Sequence, residues 1–290
     1  MARWLIERAE VQITVKTPSG KGKSSKSKEA NELIEIALGS MQAERVKKTR
    51  GIKLTVKHDE GQWHLNDHKT KLKRKLNQPG DLIYHLTDRI VYHLANSAQG
   101  VHCLHAASVS FEGRALVIPA NSGAGKSSFT TWLVANGFDY LTDELILIDT
   151  KRQIQGVARP IQIKPHGIDA IQSLLQEPDQ VQPGKLANAV PISSLGGSAS
   201  PHIKHDLAVM VFPKYKADSG FELVKLSGAE AGMALMGNHV NARNLEGHGF
   251  REMMAIIRQT PCYSLNYGGF DELPDDFAQQ LRNLISENKQ

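Results

Sequence analysis

Residues 98–290 read as an α/β domain, a mixed sheet around a phosphate-binding loop (P-loop), and residues 1–97 as a small α+β accessory region. Three observations predict this. An apolar run at 114–119 (RALVIP) passes through a glycine-containing loop into a helical segment at 127–136, the strand–loop–helix order of an α/β unit. Short apolar runs recur around it at 101–111, 138–141 and 145–149. Leu82, Leu86, Ile90 and Leu94 repeat every four residues, with Ile83 and Val91 widening the stripe, so 81–96 is an amphipathic helix that should pack against the domain that follows.

Composition is that of a globular chain: 290 residues, 40% hydrophobic and 22% charged, enough for a sizeable core. The balance of 35 Lys+Arg against 30 Asp+Glu leaves +5, too little to name a partner. The two cysteines, Cys103 and Cys262, favour a reduced setting, with Cys103 in the core. No apolar run approaches the roughly 18 residues that span a bilayer. Charges at Arg3, Glu7 and Arg8 argue against a signal peptide, and a soluble, cytoplasmic chain is expected.

In the accessory region, 10–16 alternates like a strand, and the Gly/Ser/Lys segment 18–31 reads as a mobile loop. Residues 30–41 have a helical pattern, and 51–57 with 62–65 a hairpin pattern. The basic run 67–76 contains no aromatic residue to stack on bases, so it reads as a solvated surface and nucleic-acid binding is not expected. Pro79-Gly80-Asp81 opens the striped helix, with Asp81 as its N-cap.

Beyond residue 101, Glu112-Gly113 makes a tight turn between two strands, and Gly137 stops the helix after the glycine loop. Leu207–Phe212 reads as a buried strand and Asp276–Ile285 as a terminal helix. Residues 179–200, with Pro183-Gly184-Lys185 and Gly196-Gly197, read as a long mobile loop, a lid or a disordered segment.

Ala120-Asn121-Ser122-Gly123-Ala124-Gly125-Lys126-Ser127 fits the phosphate-loop pattern, with Ala120 in place of the first glycine. The chemistry needs each residue type. Gly123 and Gly125 let successive N–H groups turn toward phosphate oxygens, and the following helix, from Lys126 through Ser127 and Ser128, adds its positive N-terminal end. Lys126 neutralises β/γ-phosphate charge, and Ser127 offers a hydroxyl to Mg²⁺. ATP and Mg²⁺ are therefore the expected ligands.

Mg²⁺ also needs a carboxylate. Asp143-Glu144 and Asp149 compete. The helix runs away from the loop, a right-handed crossover returns the chain near Phe138, and about five residues at ~3.3 Å each bring it back at 142–144. Asp149 lies roughly 17–20 Å farther along at that rise. Asp143 and Glu144 are the better candidates, and Asp149 the turn residue.

Leu104-His105-Ala106-Ala107, the phosphate loop, the helix end Asn136-Gly137 and Thr142-Asp143-Glu144 together resemble the catalytic core of the HPr kinase/phosphorylase family, over 104–149. The resemblance implies a core related to phosphoenolpyruvate carboxykinase and transfer of a phosphoryl group to a hydroxyl. It implies Asp143 as general base, Glu144 facing the metal at a position where the family has a second aspartate, and His105 supporting the catalytic acid. Ala106 and Ala107 admit either a packed strand or a close ligand beside His105. The family's basic loop falls at Asn238–Asn244, where Arg243 would stabilise transferred charge. The family's Ile-Glu-x-Arg-Gly signature is replaced by Ile161-Gln162-Ile163-Lys164-Pro165-His166-Gly167, with the acid lost and Lys164 in place of the arginine, so the resemblance leaves phosphorylase activity and an HPr-type substrate open. Self-association is implied by the family's oligomers.

The expected function is an ATP- and Mg²⁺-dependent kinase acting on a protein serine or a small hydroxylated molecule, the acceptor being unreadable. The alternative is a nucleotide-binding regulatory or ATPase module.

Overall fold

The computed structural model describes residues 2–17, 25–59, 61–121, 123–200 and 203–287. Ser122 and much of the basic segment 20–28 lie outside them.

The first sheet begins with the hairpin of β1 (Ala2–Arg8) and β2 (Val11–Thr17). Helix α1 (Ser25–Gly39) then crosses over, starting inside the segment expected to be a loop. A short β3 (Glu44–Arg45) edges β1. β4 (Ile52–Asp59) lies parallel to β2 and forms the expected hairpin with β5 (Gln62–Asp67). β6 (Lys73–Leu76), from the basic run, closes the order β3-β1-β2-β4-β5-β6.

Helix α2 (Pro79–Ser97) buries the whole predicted stripe: Leu82, Ile83, Leu86, Ile90, Val91 and Leu94. Its neighbours come from two directions. The same apolar cluster holds Ile13, Val15, Leu54 and Leu65 of the first sheet together with Cys103, Leu145, Leu147, Val157 and Ala189 from beyond residue 101. The helix is capped at Gln78, with Pro79 in its first turn, so Asp81 is not the N-cap. Asp81 sits one turn in, and its Oδ1 accepts the backbone N–H groups of Lys185 (2.9 Å) and Leu186 (3.2 Å).

The larger sheet starts with β7 (His102–Phe111) and β8 (Arg114–Pro119), joined at Glu112-Gly113, where both residues have positive φ. Helix α3 (Lys126–Ala135) follows, then β9 (Asp139–Thr142). The returning strand does run in the direction of β8, as the crossover argument requires, but β7 lies between them and pairs antiparallel with both. β10 (Leu145–Ile148) and β11 (Gln153–Gly156) form a hairpin whose turn is held by Asp149, which accepts N–H groups of Lys151 and Gln153. Asp149 is a turn residue, as expected.

The 179–200 segment differs from the expectation of an irregular lid. β12 (Ile161–Ile163) pairs with β13 (Asn188–Val190), and the strand-flanking residues dock on the start of α2. Contact there is backbone to backbone: a methyl group on Gly80 would stand 2.7 Å from the carbonyl oxygen of Gln182, and one on Gly184 2.2 Å from that of Ala187. Gly184 is read as loop flexibility from sequence, yet it serves close approach.

β14 (His205–Tyr215) runs parallel to β8 and to β16 (Cys262–Tyr267), and antiparallel to β11 at its start. β11, β10, β7, β8 and β14 therefore form a closed ring of pairings. β15 (Glu222–Lys225) edges β16. α4 (Gly228–Met236) and α5 (Phe250–Arg258) pack on one side, and α6 (Phe277–Glu287) joins Phe129, Trp132 and Leu133 of α3 in the core on the other. Among the described residues no helix is long and apolar enough to cross a membrane.

Candidate active site

Three parallel strands, β8, β14 and β16, end at one edge of the sheet. The carboxyl ends of parallel strands are a common place for ligands in open and in closed α/β sheets. Gly123, Ala124 and Gly125 lie there, between β8 and α3. Gly123 and Gly125 both adopt positive φ (90° and 86°), the conformation that the loop requires and that side chains resist. Gly125 is also pinned. A methyl group there would fall 2.3 Å from Tyr267 Oη, and the Tyr267 hydroxyl donates to the Gly125 carbonyl at 3.1 Å. Tyr215 N–H donates to Ala124 O at 3.2 Å.

Gly125 is the residue preceding α3 and offers no side-chain cap. The first N–H with a helical partner is that of Phe129, which reaches Gly125 O. The N–H groups of Lys126, Ser127 and Ser128 thus find no acceptor among the described residues. An unsatisfied helix start beside positive-φ glycines fits an anion such as a phosphate. Asn121 and Gly123 are exposed, while Ala124, Ser127 and Ser128 are half-buried at the same rim.

Lys126 does not project outward. It is buried, and its Nζ donates to the backbone oxygen of Asp143 at 2.6 Å and lies 3.2 Å from His105 Nε2. Burial lowers its pKa, against the opposing pull of Glu144 and Asp143. The chain has therefore returned to the loop at Asp143, as the crossover geometry requires.

His105, Lys126, Asp143 and Glu144 come together, and a fifth residue holds them. Arg159, 5% exposed, reaches Asp143 Oδ1 through Nε (2.9 Å) and Glu144 Oε2 through a terminal nitrogen (2.7 Å). Burial alone would lower the Arg159 pKa, but the two carboxylates outweigh it and raise it. Burial likewise pushes Glu144 upward, yet Arg159, His105 and Lys126 prevail and hold it well below the usual carboxylate range.

The two acids face opposite ways. The Asp143 side chain is fully buried: Oδ1 also takes the Tyr140 hydroxyl at 3.2 Å, and Oδ2 takes the Gln162 N–H at 3.0 Å. Burial, then Asp143, pushes the Tyr140 phenol well above its ordinary pKa, so it stays a donor. Glu144 is 27% exposed and stands 3.5 Å from His105 Nε2. The Asp143 oxygens are thus engaged by Arg159, Tyr140 and Gln162, whereas the Glu144 side chain stays partly open.

Arg243 is also elsewhere. It is exposed, and its guanidinium bonds the Asn96 side chain at the end of α2. The segment around it does approach the site, since His105 N–H donates to Asn238 O at 2.8 Å, but the arginine points away to α2. The arginine that joins the acids is Arg159. A sequence signal for it existed: a lone arginine inside the apolar run Val157–Ile163 must find partners if buried.

Among the described residues no group of three or more His, Cys, Asp or Glu is arranged to hold a metal unaided. Mg²⁺ commonly takes one or two protein ligands with the remainder from phosphate and water. Glu144 and Ser127 suit that pattern.

No family model matches the chain, and no curated protein matches it. Among solved structures, the chain is similar to the Hpr(Ser) kinase/phosphatase from Coxiella burnetii, with 12% identity, coverage of 62% of this chain and 94% of that one, and a TM-score of 0.31. That likeness is remote, and the site is read from its own residues.

Proposed function

We propose that the chain is an ATP- and Mg²⁺-dependent kinase that moves a γ-phosphoryl group to a hydroxyl acceptor. The observation that carries this reading is the meeting of the glycine loop with His105, whose Nε2 lies 3.2 Å from Lys126 Nζ and 3.5 Å from Glu144. Backbone N–H groups at the start of α3 would hold the phosphates, and Ser127 with Glu144 would hold Mg²⁺, which screens phosphate charge when bound. Lys126 would leave the Asp143 carbonyl and pair with phosphate.

That departure changes His105. Its Nε2 either accepts from Lys126 or, when protonated, donates to Glu144, but not both at once. Once Lys126 turns to phosphate, the neutral ring is free to accept the proton of an acceptor hydroxyl, and Glu144 then stabilises the cation. Asp143 would act through Arg159, fixing Glu144 from behind, a role different from the family's general base.

One observation favours a second reading. Because Asp143 is closed off, the site lacks the open aspartate that the resemblance implies, as in a module that hydrolyses ATP or merely responds to it. Incubation with γ-labelled ATP, Mg²⁺ and a fractionated lysate separates the two. Label in a protein or small-molecule fraction supports the kinase. Release of label only as inorganic phosphate selects the ATPase.

A further inference from the structure

The end of β14 carries one large aromatic side chain that the phosphate chemistry leaves unused. Tyr215 and Tyr267 are register partners at the ends of β14 and β16. Their surroundings differ sharply. Tyr267 is 1% exposed, packed against Phe129 and Phe270, and donates to the loop. Tyr215 is 49% exposed, its ring meeting Tyr267 edge-on at 5.5 Å between centroids. A tyrosine braced on one side and open on the other is a ready stacking surface.

Its place relative to the loop is fixed by two contacts. The Tyr215 N–H is bonded to Ala124 O, and a methyl group on Gly125 would stand 2.9 Å from Tyr215 Cβ. The side chain thus starts directly beside the turn that leads into α3. Exposed Lys214 and Lys216 flank it. Every nucleobase has a π-face, and stacking on an aromatic ring binds it without demanding a particular hydrogen-bonding edge.

Resting on the nucleotide reading above, we propose that Tyr215 is the platform on which the nucleotide's base stacks, so that the loop holds the phosphates and the end of β14 holds the base. Such a platform recognises a planar base but discriminates weakly between purines.

The test measures binding of two probes to the full chain by calorimetry with Mg²⁺: ATP, and inorganic tripolyphosphate, which has the phosphates and no base. With Tyr215→Ala, ATP affinity should fall about tenfold or more, the loss of a base–aromatic stack, while tripolyphosphate affinity stays within about twofold. Tyr215→Phe should bind both probes as the parent does. GTP should lose affinity in parallel with ATP. The platform is overturned if Tyr215→Ala binds ATP as the parent does, or loses both probes equally, which would make the residue a support for the loop. It is also overturned if the parent binds ATP no more tightly than tripolyphosphate. A parent that binds neither probe removes the nucleotide reading itself, an outcome distinct from all of these.

Discussion

The ammonium of Lys126 lies 2.6 Å from the backbone oxygen of Asp143, fastening the start of α3 to the end of β9. The same ammonium is the group that would meet a triphosphate. Lys126→Ala should therefore weaken MgATP binding at least about tenfold, the scale of a lost charge-assisted contact. Calorimetry at constant salt checks it, and an undiminished affinity would remove Lys126 from the site.

Arg159 is the buried counter-charge of two acids. Replacing it with Met leaves Asp143 and Glu144 without their shared counter-charge, which should cost about 3–5 kcal/mol. Thermal unfolding should show the drop, and the double variant R159M/D143N should recover part of it. A single variant as stable as the parent would contradict the buried pairing.

The two acids should separate in their effects. Asp143→Asn should lower stability through the loss of its bond to Arg159. Glu144→Gln should fold normally yet lose phosphoryl transfer at saturating ATP by at least about tenfold, as expected for a group that acts on metal or proton. Equal transfer rates for Glu144→Gln and the parent would remove Glu144 from the reaction.

Glu144 also predicts a pH dependence. Its folded-state pKa lies below the ordinary 4.5, so in acid the unfolded chain takes up a proton that the folded chain still refuses. The stability that it contributes is complete above about pH 4.5 and is lost progressively as pH falls toward the folded value. Urea midpoints for the parent and E144Q should thus draw closer together as pH is lowered from about 6 to about 3. A gap that widens in acid would reverse the sign.

Asp81 holds two backbone N–H groups from a segment a hundred residues later in sequence. Asp81→Ala should cost about 1–3 kcal/mol because both donors lose their acceptor. A fall in melting temperature of several degrees is the expected reading. No change would mean that water replaces the carboxylate there.

Much of this architecture was legible because it is periodic or sterically forced. The stripe on α2 is a repeat, the loop glycines meet a positive-φ requirement, and the return of the chain at Asp143 follows from strand rise and crossover handedness. What escaped depends on partners distant in sequence. Arg159 has no pattern of its own, and its meaning appears only when β9 and the chain before β12 bring it to Asp143 and Glu144. Gly184 and Gly196 suggested a mobile lid because glycine permits freedom and close packing alike. Telling the surroundings of Asp143 and Glu144 apart needed the burial of each side chain, which adjacent positions in a sequence do not reveal.

The two-sided burial of α2 bears on how such a chain could be divided or recombined. Its residues answer to the first sheet on one flank and to Leu145, Leu147 and Ala189 on the other. Cutting before the helix bares the side that met the first sheet, and cutting after it strips cover from the larger sheet. Neither piece is an exchangeable module. A hybrid that grafts the larger sheet onto a foreign N-terminal segment must bring α2 along and supply a new apolar surface to cover it.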